Sequence, residues 1–177
     1  MRKYTRSAIF ERASLLRDTI LSANDGIITT FAVVAGAQGA NLDHNIVILL
    51  GLANLTADAI SMSSGNFLGV ESENEVLKGK IKTKFFLSPT KSAAITFGAF
   101  VLSGFIPLAP YLFKADESYT FGTSIALVFL ALIALGFLRG AATSTHKVKT
   151  IIETILVGGV AAAAAYSIGY WGDQLLS

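Results

Sequence analysis

Long apolar runs, separated by short charged stretches, organise the chain. Runs near residues 19–38, 46–68, 92–113, 120–138 and 154–171 each approach the ~17 to 25 residues a helix needs to cross a bilayer. The second run is not uniformly apolar: Asn54, Asp58, Met62 and Asn66 recur every fourth residue and so share one face of a helix. The first carries a parallel stripe, Ser22, Asp25, Thr29, Ala32 and Gly36, whose steps of three and four keep it on one narrow side. That stripe is small and polar, the composition of a seam where a second helix comes close, and it is expected to face a two-fold mate.

The remaining runs read as scaffold. The fourth has no charge, and the fifth is rich in Ala and Gly and ends on Tyr166, Tyr170 and Trp171, an aromatic anchor for the membrane interface. In the third, Gly104, Pro107 and Pro110 predict a kink or break near the outer leaflet, a geometry that can gate. Ahead of the first run, residues 1–18 place Ile9, Ala13 and Leu16 at helical spacing with Ile20, while Arg6, Arg12 and Arg17 project elsewhere. This predicts a basic amphipathic segment lying in the interface, or a basic flank that only sets topology. The apolar run after it contains Asn24 and Asp25 and passes secretory length, so it is expected to stay in the protein as a span.

Composition agrees with a single all-α membrane domain over residues 19–177: 53% of residues are hydrophobic, 15% are charged, and mean hydropathy is +0.60. With five spans the termini lie on opposite sides. Thirteen of the fourteen Lys and Arg then fall on the side of the N-terminus, and Lys114 alone on the other. By the positive-inside rule the N-terminus is cytoplasmic and the C-terminus outside or luminal. A cysteine introduced at Ser144 should therefore be shielded from an impermeant thiol reagent in intact cells, and one at Ser177 labelled. The reverse pattern would invert the direction of transport assigned below. The same rule accounts for the basic residues without nucleic acid as a partner.

A carboxylate at membrane depth costs about 2.5 to 3.5 kcal/mol on insertion scales, so it is kept where it meets a cation, a proton or water. Neither of the first two runs contains Lys, Arg or His to neutralise Asp25 and Asp58. Either a transported cation or bound protons must do so. The chain has no cysteine, which leaves carboxylate, amide, hydroxyl, carbonyl and thioether as metal donors. Asp25, Asp58 and Met62 are the candidate ligands, with Asn54, Ser61 and Asn66 as further oxygen donors along the path. Each has a plainer reading: Asp25 as a helix cap, Asp58 as a protonated acid bonded to a neighbouring helix, Met62 as packing, and the amides and hydroxyls as interhelical glue. In the stretch after the second run, Glu71 and Glu75 form an acidic patch at its mouth or simply a solvated helix. His44 is expected to be an ordinary loop residue. A carboxylate pair with one thioether suits a borderline transition metal better than magnesium or calcium, which take all-oxygen shells.

The first run with its flank, LRDTILSANDGIITTFAVVAGAQGA (16–40), the second run's ADAISMSSGNFL (57–68), the third's GFIPLAPYL (104–112) and the fifth's ILVGGVAAAAAYSIG (155–169) resemble, in the same order, the spans of the vacuolar iron transporter family. The resemblance implies a homodimer of five-span protomers that moves ferrous iron, and often manganese, out of the cytosol in exchange for protons. It maps the membrane ligands onto Asp25, Asp58 and Met62. Better-known members carry a Glu-rich cytoplasmic metal-binding domain between the second and third spans. The short connection from Val70 to Lys91 cannot hold one, which resembles the nodulin-like branch, and Asn66 stands where many members have an acid. The implied location is the cytoplasmic membrane of a prokaryote or the vacuolar membrane of a eukaryote. The competing classes are a non-transporting assembly or regulatory subunit and a carrier of another cation. An enzyme is not expected, because no Ser/His, Cys/His or two-His-carboxylate constellation lies within the runs.

Overall fold

The structure, a computed structural model, describes residues 6–78, 87–113 and 117–176, and its elements are five helices. These are α1 (Arg6–Gly39), α2 (His44–Lys78), α3 (Pro89–Leu112), α4 (Glu117–Thr143) and α5 (Lys147–Leu176). Each is long and apolar enough to cross a membrane. The alternation of direction brings the start of α1, the end of α4 and the start of α5 to one end, here called the basic end, with Arg12, Arg17, Arg139 and Lys147.

Every helix outruns its apolar stretch. α2 has 35 residues, about 50 Å at 1.5 Å per residue, against a hydrocarbon core of about 30 Å. Its overhang stays in contact with the bundle because Val70 and Asn74 are buried, and Asn74 donates to the carbonyl of Leu87 (2.8 Å) just ahead of α3. Residues 1–5 of the basic segment lie outside the described residues, and the rest of it is continuous with α1. From Arg6 onward it makes the first turns of α1, where Ser14 and Asp18 are buried and Glu11 pairs with Lys91 of α3 (2.6 Å).

α1 is the hub, packed most extensively on α3 and α5 and also touching α2 and α4. Ile27, Phe31 and Val34 of α1 meet Val47 and Leu55 of α2, Phe100 and Leu108 of α3, and Val128 and Leu132 of α4 in one core. The outer surface is equally apolar, with Leu49, Leu102, Leu130, Val160 and Ile168 exposed. An apolar exterior around a core that also holds Ser92, Thr96 and Ser124 is the arrangement of a protein dissolved in lipid, where interhelical hydrogen bonds contribute about 0.6 kcal/mol each and close packing dominates.

The reversal between α1 and α2 is tight. Asn41 adopts a left-handed conformation (φ 51°), and its N–H bonds to the carbonyl of Gln38 while that of Leu42 bonds to Ala37. This is a Schellman closure with asparagine in the usual glycine place. Ser88 caps α3 by accepting from the Lys91 N–H (3.3 Å), and Pro89 follows where its missing donor costs nothing. Of the kink or break expected in α3, the break is absent: the helix runs through Pro107 and Pro110 to Leu112. The carbonyls that lose a helical donor are those four residues earlier, of Ser103 and Ile106, and Ser124 of α4 ties the same stretch to its neighbour by donating to the Pro107 carbonyl (2.8 Å). His44 is likewise not a bare loop residue. It opens α2, its Nε2 lies 2.9 Å from the Tyr111 carbonyl, and its ring rests 5.0 Å from that of Tyr111.

Candidate metal pathway

Asp25 lies on α1 and Asp58 on α2. Both are half-buried, and their carboxylates lie within electrostatic reach of each other. Asp58 accepts a hydrogen bond from the Asn54 amide one turn earlier on α2 (2.9 Å), which orients the carboxylate without neutralising it. Among the described residues no ion pair involves either acid. Asp25 owes its position to Gly26. A Cβ at Gly26 would sit 2.5 Å from both the Phe100 carbonyl oxygen and the Ser103 hydroxyl, so only glycine allows α1 to cross α3 this closely.

Met62, one turn beyond Asp58 toward the basic end, is partly buried and lines a cavity of about 220 Å³ with Asp18, Leu21, Ser22, Asn66 and Thr96. The polar wall of that cavity is a network. Asn66 donates to the hydroxyls of Ser92 (2.9 Å) and Thr96 (2.7 Å), and Ser92 donates to Asp18. Asp18, only 3% exposed, also accepts from Nη2 (2.9 Å) and Nε (3.1 Å) of Arg17. Asn66 is thus glue between α2 and α3.

Asp18 was not among the residues expected to matter. Its signal lies seven residues before Asp25 and four before Ser22, on the same face, masked by an adjacent arginine in a run read as a basic flank. Ser61, Glu71 and Glu75 are exposed, the two acids on the overhang of α2.

The seam of α1 needs correction at both ends. Ser22 is fully buried within the chain and donates to the Asp18 carbonyl (2.6 Å), so it cannot face a mate. Gly36 packs on α5, where a Cβ would lie 3.4 Å from the Ala165 carbonyl oxygen, and its own carbonyl occupies the space a Cβ on Gly169 would need. Small residues allow close approach, but in these two places the helix that approaches belongs to the same chain. Thr29 donates back to the Asp25 carbonyl (2.8 Å), and it, Asp25 and Ala32 remain half-buried.

Taken together, the fold and site define an all-helical integral membrane protein with an unneutralised acid pair between two of its spans. The family model described as VIT family matches residues 16–85 and 81–170, and the chain belongs to that family. It is 27% identical to vacuolar iron transporter 1 of Tulipa gesneriana over 90% of this chain and 87% of that protein. Vacuolar iron transporter homologs 4 and 1 of Arabidopsis thaliana are 31% and 33% identical, covering 88% and 87% of this chain and 83% and 80% of their own lengths. The tulip alignment runs over 216 positions and the homolog 4 alignment over 164, for nearly equal shares of this chain. The tulip protein therefore carries residues with no counterpart here, in keeping with the short branch. The two family matches meet at 81–85, in the shortened connection between α2 and α3.

Proposed function

We propose that the protein exports a divalent transition metal, ferrous iron first and manganese second, from the cytosol in exchange for protons. The observation that carries this reading is the convergence of Asp25 and Asp58 with Met62 one turn away and no basic partner for either acid. The relatives' names point to iron as the cargo, and the mixed carboxylate and thioether donor set suits it. Carboxylates must be deprotonated to ligate, so metal arrival expels protons and protons on an acidic far side expel metal. With the basic end in the cytosol, the outward direction leads to a vacuole, a periplasm or the exterior. Glu71 and Glu75 on the overhang of α2 would raise the local concentration of cations at the mouth.

One chain is not enough. Among the described residues no three His, Cys, Asp or Glu side chains cluster to hold a metal, whereas a two-fold axis along α1 and α2 doubles every ligand. Next to Asn54, Asp58 and Met62 runs an exposed strip of small residues, Ala53, Ala57, Ser61 and Ser64, which would let α2 approach its mate. A cysteine at Ala57 should cross-link two copies through a short bifunctional reagent in native membranes. Monomer alone would remove this axis.

The function itself is tested by flux into proteoliposomes with an imposed pH gradient and a panel of Fe²⁺, Mn²⁺, Zn²⁺ and Mg²⁺. Fe²⁺ should move and Mg²⁺ should not, and collapsing the gradient should stop net movement. Met62→Leu should retain the fold and carry manganese while losing preference for the softer ions. No metal movement under any gradient would favour a non-transporting subunit instead.

A further inference from the structure

At the basic end, α1 stands apart from the α4–α5 hairpin and leaves a groove of about 750 Å³, within the range of pockets that enclose small ligands. Its charged lining residues are Arg17 of α1, Arg139 of α4 and Glu153 of α5, the last two adjacent to each other. Farther along the helices the walls are mainly apolar, with Ile20 and Leu21 on one side and Leu135 and Val157 on the other, and Asn24 the polar lining residue at that depth. A phospholipid has the same polarity, head at the water and chains below.

We propose that this groove is a binding site for an anionic phospholipid of the leaflet at the basic end, its phosphate on Arg17 and Arg139 and its acyl chains along Ile20, Leu135 and Val157. The charge complementarity is specific. Arg139 pairs with Glu153 through one guanidinium nitrogen at 3.3 Å, longer than the ~2.7 to 2.9 Å of a strong charge-assisted bond. Lys149 reaches the same carboxylate only at 3.9 Å. Arg17 meets Asp18 through Nε and Nη2, yet its side chain is still 60% exposed. A guanidinium has five N–H donors, so both arginines keep donors for a phosphate. Basic pockets between membrane helices are a general form of anionic headgroup recognition. None of this depends on the transport reading, because Asp25, Asp58 and Met62 lie outside the groove.

Glu153 is the one acid among the groove's lining residues and competes with the phosphate for Arg139. That yields a test with opposite signs. The full chain in detergent is titrated with phosphatidylglycerol or phosphatidylcholine, and bound lipid is counted by native mass spectrometry. Wild type should retain phosphatidylglycerol over phosphatidylcholine. Arg139→Gln should weaken phosphatidylglycerol binding about fivefold, the effect of one basic residue at a charged surface, and Glu153→Gln should strengthen it. Neither should change phosphatidylcholine. If the ion pair were only structural, both substitutions would act in the same direction, and that result overturns the site. Equal retention of the two lipids, or lipid bound to monomers but excluded from dimers because a second copy fills the groove, overturns it as well.

Discussion

Asp25→Asn and Asp58→Asn are each expected to lower pH-driven metal flux by at least about a hundredfold while leaving the fold in place. An asparagine at 58 keeps a carbonyl oxygen able to accept from Asn54, whose bond holds the acid today at 2.9 Å, and Asp25 makes no side-chain ion pair among the described residues that a neutral amide would break. What each substitution removes is one anionic ligand, and even groups that merely support a ligand cost about 10- to 100-fold in affinity when lost. The electrostatics add a second readout. Two carboxylates within Coulomb reach and without a cation repel each other while both are ionised, so neutralising one should leave metal-free thermal stability unchanged or higher. The stabilisation conferred by added metal should vanish. If both variants still carry iron at the wild-type rate under a pH gradient, the acid pair is not the site, even in a protein that transports.

Gly26→Val is expected to be the most damaging single change to the fold. The two atoms that a Cβ would meet at 2.5 Å are the Phe100 carbonyl oxygen and the Ser103 hydroxyl. The first is helix backbone and cannot rotate away. Ser103 is itself held, donating to the Phe100 carbonyl (3.1 Å). The collision must be met by parting α1 from α3, the most extensive helix pair in the bundle, at a cost of about 3 kcal/mol or more. Gly98→Ala, on α3 with open space around it, is the control. It should be neutral or gain up to about 1 kcal/mol from helix propensity. Thermal unfolding in detergent measures both, and a Gly26 variant as stable as the Gly98 one would refute the tight crossing.

How much of this was legible in the sequence follows from what each signal encodes. The four-residue period of Asn54, Asp58, Met62 and Asn66 is a statement about helix geometry alone, and in the structure Asp58 lies within electrostatic reach of Asp25. Hydropathy reports the length immersed in lipid rather than the length of the helix. The overhang of α2 was invisible to it, because the overhang rests on two buried side chains, Val70 and Asn74, in an otherwise charged stretch. Asp18 was lost for a related reason, since Arg17 next to it made a solvated pair the natural reading, whereas the pair is rooted in Ser92 of a helix 74 residues away. The small residues of α1 signalled close packing correctly at Gly36 without naming the neighbour, which is α5. Prolines in α3 signalled lost donors, and the bond that ties this stretch to α4, from Ser124 to the Pro107 carbonyl, is a long-range fact that no local pattern contains.

The closure on Asn41 has a mechanical consequence. Only four residues, 40–43, separate the end of α1 from the start of α2, so the two helices are joined like the arms of a pair of compasses whose pivot is the end away from the arginines, and the Asn66–Ser92–Asp18 network on α3 clasps them far from it. A swing between them displaces each residue in proportion to its distance from that pivot: about 21 Å for Asp25 and about 32 Å for Asp18, at 1.5 Å per residue from Gly39. The cavity beside Asp18 and Met62 would widen about half again as much as the gap at Asp25. On the proposed transport reading, such a swing would open that clasp to an ion from the arginine end, and passage past the pivot would need a different movement, of this pair of arms as a unit.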